Sequence, residues 1–117
     1  MRCHVVALAV VALAAGVPAA SQHTGHVAGA GDLAPSTEAF VTANEAMHQG
    51  MMIEYTGDPD IDFARSMIPH HRGAIDMAKA ELAYGDDPEM RALAEGIIAA
   101  QEAEIARLEA WLAAHGG

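Results

Sequence analysis

Methionine and histidine are concentrated in two stretches of this chain. The first carries Met47, His48, Met51 and Met52, and the second Met67, His70, His71 and Met77. Thioether sulfur is soft and uncharged and suits Cu(I), while imidazole suits both Cu(I) and Cu(II). Hard cations such as calcium and magnesium take carboxylates and carbonyl oxygens instead. If each stretch is helical, successive side chains turn by about 100°. Met67, His70, His71 and Met77 then share one broad face. Met47, His48, Met51 and Met52 fall within an arc of about 140°. Two such helices facing each other bring sulfur and imidazole together, so these eight residues are the candidate ligands of a copper ion.

A second reading stands beside this one. Methionine at helical spacing also serves as core filler, and Met47 and Met67 fit that role. The adjacent pair His70-His71 is less ordinary, because burying two imidazoles without partners is costly. His23 and His26 read as a solvated tail with a loose secondary copper site as the alternative, and His115 as a complement to a helix dipole. Glu45-Ala46-Met47-His48 has the Glu-x-x-His form of di-iron bundles, but such sites need a second copy and further inward glutamates. Neither is present. Gln101 and Glu104 are read as the solvent-touching edge of a core; the alternative is that they accept a hydrogen bond from a ligating imidazole. The chain has no phosphate loop, haem-attachment motif or hydrolase elbow, and nothing assembles a nucleophile, a base and an orienting group. The residues therefore point away from an enzyme.

Three helices must position the candidates. The first is predicted over residues 37–55, with Ser36 as cap and Phe40, Met47 and Met51 on one stripe. Thr56-Gly57-Asp58-Pro59 ends it as a turn. The second is predicted over residues 61–84, capped by Asp60 and stopped by Gly85. Its buried face is Ala64, Met67, Ile68, His71, Ile75, Ala78 and Leu82. Pro69 removes a backbone donor and should bend or split it. The third is predicted over residues 88–114, with Asp87 as cap and Pro88 in the first turn. Ala94, Ile98, Gln101, Ile105, Leu108 and Leu112 form its packing seam. Short connections make neighbouring helices antiparallel, which gives an all-α, up-down-up helical bundle kinked at Pro69. Its uncovered apolar face suits a homodimer.

The 117 residues fit one domain. Arg2, the apolar run over residues 5–15 and the small residues of 16–21 read as a secretory signal over residues 1–20, with an uncleaved anchor as the alternative. Residues 21–35 read as a flexible, Gly-containing leader, and 36–115 as the bundle. Cleavage removes Cys3, the only cysteine, leaving methionine and histidine as the soft ligands of an exported protein. It also removes Arg2, leaving five basic against sixteen acidic residues, a formal charge of −11. That excess argues against nucleic acid and anionic membranes as partners.

The segment from Asp60-Ile61-Asp62-Phe63 through Met67-Ile68-Pro69-His70-His71-Arg72-Gly73-Ala74-Ile75-Asp76-Met77-Ala78 closely resembles the domain of unknown function 305 family of exported bacterial proteins. The likeness continues through Gly85, Asp87-Pro88-Glu89, Leu93-Ala94, Ile97-Ile98, Gln101, Glu104-Ile105 and Trp111-Leu112, and back to Met47-His48 and Met51-Met52. It covers about residues 40–113. The resemblance implies a ferritin-like helical bundle, a periplasmic or secreted location and, for some members, copper binding and resistance. Carried over by position, the implied ligands are Met47, His48, Met51, Met52, Met67, His70, His71 and Met77. The expected function is a non-enzymatic copper buffer or carrier. Its rivals are a structural or interaction bundle without metal and, further off, a metal-dependent oxidase.

Overall fold

Two Asp-Pro pairs set the frame of the molecule. In each, the aspartate stays extended and its carboxylate accepts from the first free amides of a helix, while proline takes the first helical position, where its missing N–H costs nothing. Asp58 accepts from the amides of Asp60 and Ile61 at 2.9 and 3.3 Å. Asp87 does the same for Glu89 and Met90 at 3.0 and 2.9 Å. The computed structural model describes residues 33–116, and these form three helices: α1 Pro35–Gly50, α2 Pro59–Tyr84 and α3 Pro88–His115. The proposed signal over residues 1–20, most of the leader, Cys3, His23 and His26 lie outside the described residues. None of the described helices is long and apolar enough to cross a membrane.

The all-α architecture is as expected, with shifted boundaries. α1 begins at Pro35, with Ala34 rather than Ser36 at its cap, and ends at Gly50 instead of reaching residue 55. The chain then continues without helix or strand to Gly57, which turns at φ +88°, a conformation glycine adopts without a Cβ penalty. Asp62 closes this connection by accepting from the Thr56 amide at 2.8 Å, the Thr56 hydroxyl at 2.8 Å and the Gly57 amide at 3.0 Å. α2 begins at Pro59 with Asp58, not Asp60, as its cap, and it continues unbroken through Pro69. Gly85 caps its C-terminus at φ −81°, outside the left-handed region. Arg91 locks the α2–α3 turn by donating from Nη1 to the carbonyls of Leu82 and Gly85 at 2.8 and 2.9 Å.

α2 is the central helix. It packs on α1 and on α3, while α1 and α3 do not touch. The α1 contact is very close. A Cβ added to Gly73 would lie 2.6 Å from the Cβ of Met47, and one added to Gly50 would lie 2.8 Å from that of Pro69. Gly73 therefore offsets its helix-interior penalty of about 1 kcal/mol by letting the backbones approach. On the opposite side, His71 reaches Glu104 and Arg72 reaches Glu109. Both packings are antiparallel. The result is a single layer of three helices with a core built mainly of alanine: Ala43, Ala64, Ala78, Ala80 and Ala94, with Ile75 and Leu112. No large side chain among the described residues is fully buried.

Candidate functional site

The periodicity of α2 decides where its candidate ligands go. Residues 64, 68, 71, 75, 78 and 82 recur at four and three and face α3. Residues 69, 73 and 80 face α1. His71 thus belongs to the α3 side, buried among the described residues. Its Nε2 lies 2.5 Å from Glu104 Oε2. An ionised carboxylate can only accept, so the imidazole carries its proton on Nε2 and donates it to Glu104. Nδ1, an open acceptor in the neutral Nε2–H tautomer, is buried with no partner among the described residues. Glu104 is not merely a solvated edge residue, as its place beside the α3 seam suggested. It accepts a hydrogen bond from a buried histidine. Gln101 is half-buried in the same seam, and its Oε1 also lacks a partner.

Met67 sits beside His71. The two line a cavity of about 350 Å³ between α2 and α3, together with Phe63, Glu104, Leu108 and Trp111. Arg107 also lines it, so one carboxylate and one guanidinium flank a neutral thioether and imidazole. His70 is exposed on the adjacent stripe, its ring centroid 5.8 Å from that of His71. Met77 is half-buried on that same stripe, seven residues along.

The α1 candidates lie elsewhere. Met47 packs its side chain onto Gly73, on the face of α2 opposite His71. His48 is exposed and lines a shallow depression with Val41, Asn44, Glu45 and Gln49. Met51 and Met52 follow the last turn of α1, 38% and 73% exposed. The structure therefore brings Met67 and His71 together, with His70 and Met77 on the next stripe, and it does not bring Met47 to His71. The reason is the flat arrangement: α1 and α3 take opposite sides of α2. Gly50 and Gly73 were the sequence signal for the α1 contact, since small residues mark close approach. At the C-terminus, His115 donates to the Trp111 carbonyl at 2.7 Å and stacks on its indole with centroids 4.2 Å apart.

Among the described residues no three His, Cys, Asp or Glu side chains gather as a metal cage. Any site here has to draw on thioethers. The donors next to the cavity fit a soft ion: a neutral sulfur, and a buried imidazole nitrogen left open while the other is fixed by a carboxylate, the usual outer support of a ligating histidine.

The family model described as Domain of unknown function (DUF305) matches residues 14–112. The chain belongs to this family. The match takes in all of α1 and α2, which with the loop between them carry the candidate donors, and α3 as far as Leu112. No curated protein matches the chain.

Proposed function

We propose that this DUF305 protein is a copper-binding protein that holds Cu(I) outside the cytoplasm as a buffer or carrier, without catalysing a reaction. One observation carries the reading: His71 is gripped at Nε2 by Glu104 while its Nδ1 is buried and without a partner among the described residues, and His71 shares its cavity with Met67. An orphaned buried acceptor costs about 1–3 kcal/mol, and a soft cation would satisfy it. Met67 and His71 are the leading ligands, with His70 and Met77 as the nearest additional donors. Met51, Met52 and His48 are exposed enough to receive or pass on an ion, and Met47 serves the helix contact. Neutral ligands leave the bound ion monovalent, which suits Cu(I) over Cu(II). Acid favours release, because a protonated imidazole cannot ligate.

Titration of Cu(I) against a competing chelator is the direct test. We expect binding tighter than micromolar, and at least tenfold weaker binding in each of Met67→Leu and His71→Phe. Binding weaker than micromolar in the wild-type protein rejects the reading. X-ray absorption of the loaded protein should count both sulfur and nitrogen neighbours around copper.

A further inference from the structure

The three-helix layer has two unlike faces. With α1 and α3 on opposite sides of α2, two stripes of α2 remain free. One holds Phe63, Met67, His70, Ala74 and Met77, recurring at four and three; the other holds Arg65, Arg72, Asp76 and Lys79. The neighbouring helices extend each stripe. Glu104, Leu108 and Trp111 line one cavity with Phe63 and Met67, which places that edge of α3, with Leu93 and Ile97 further along it, on the soft face. The ion pair from Arg72 to Glu109 at 2.9 Å places Glu95, Glu102 and Glu109 on the polar face. On α1, Ala39, Thr42 and Ala46 share a depression with Asp76 on the polar side, which leaves Phe40 and Met51 at the soft edge.

The soft face is largely uncovered among the described residues. Phe63 is 61% exposed, Leu93 55% and Phe40 40%. Its size is that of a specific interface. α2 has 26 residues, about 39 Å at 1.5 Å each, and three helices at 8–10 Å spacing make a width of about 25 Å, so the face covers roughly 1,000 Å². A stable protein–protein contact needs about 800 Å² from each partner. The alanine core supplies little apolar burial of its own, so a second layer adds the interior that one layer lacks.

We infer that this face is covered by a second copy of the same chain, apposed about a twofold axis, and that the donors on it are shared between the two copies. The sharing clause rests on the copper reading above; the interface does not. His70 stands near the midpoint of α2, so an axis through the centre of the face passes close to it and brings Met67, His70 and Met77 of both copies toward one locus. Among the described residues of a single chain His70 is exposed with no hydrogen-bond partner on that stripe, and the second copy completes the set.

Sedimentation velocity on the protein as it accumulates in the producing cell tests this, at 1 to 100 µM, without metal and with one equivalent of Cu(I). The expected species has twice the mass of one chain. Leu93→Arg, remote from the donors, should weaken association at least tenfold, and Phe63→Arg is the second variant should the first fold poorly by circular dichroism. Lys79→Glu on the polar face should change association less than twofold. A single-chain mass throughout this range overturns the proposal, as does a doubled mass indifferent to both arginine variants. Full-affinity copper binding by a species of single-chain mass removes the sharing and leaves the copper reading intact. A doubled mass with no copper affinity does the reverse: it upholds the interface and rejects the function.

Discussion

His71 is fixed at one nitrogen and open at the other, and that asymmetry has a measurable consequence. Glu104 holds the proton on Nε2 and sets the ring plane, so removing its charge frees the imidazole to change tautomer. Glu104→Gln should lower Cu(I) affinity roughly 10- to 100-fold. Because Glu104 is half in solvent, the unliganded protein should lose little stability; the chelator titration and a thermal melt of the apo protein separate the two effects. A purely structural pair gives the opposite pattern, a lowered melting temperature with unchanged affinity. The chemistry of this residue was legible from its neighbours in sequence, since His70-His71 and Met67 stand out by type and spacing. Its partner was not. Periodicity shows which side chains share a stripe of a helix, and it does not show which neighbouring helix meets that stripe. For this reason the sequence pattern alone leaves Glu104 at a solvated edge and turns Met47 toward the imidazoles.

At the scale of elements, the α1–α2 contact and the loop beside it make two predictions. A methyl group on Gly73 collides with the Cβ of Met47, which is fixed to backbone and cannot swing aside. Gly73→Ala should therefore destabilise the protein by about 1–3 kcal/mol, despite alanine's better helix propensity; a denaturant melt reads it. Asp62 is the other case. The Thr56 amide, with the Thr56 hydroxyl, the Gly57 amide and Arg65 adding to it, holds its carboxyl below the ordinary carboxylate value against the opposing effect of desolvation. Its ionised form thus stabilises the fold above about pH 4, and that contribution is lost as pH falls through the lowered pKa. Asp62→Asn should flatten the pH dependence of stability on the acid side and leave the slope near neutrality unchanged. The helices themselves were readable in order, number and direction. α3 was placed to within a residue because Asp87-Pro88 announces its start. The same pair at Asp58-Pro59 was read as the end of a turn, which misplaced the cap of α2 by two residues. Met51, Met52, Ile53 and Tyr55 imitate a continuing amphipathic helix, so α1 was drawn past Gly50, where the chain turns away.

For the whole molecule, the order of packing matters as much as the helices. α2 and α3 are tied by the His71–Glu104 and Arg72–Glu109 pairs and by the Arg91 clasp at their turn. α1 has one neighbour, and its buried contribution to the core is Ala43. A helix held on one side by small residues can peel from the remaining hairpin at a lower free energy than global unfolding requires. Native-state hydrogen exchange should show the amides of α1 losing protection as a group before those of α2 and α3. Peeling uncovers the narrow furrow at Pro69 and Gly73, shaped to accept a helix with a glycine at its end and a slender side chain one turn earlier. After its own tethered α1, the competing helix of that shape belongs to another molecule of the same protein, so reciprocal exchange of α1 is the characteristic misassembly to look for when this protein is concentrated.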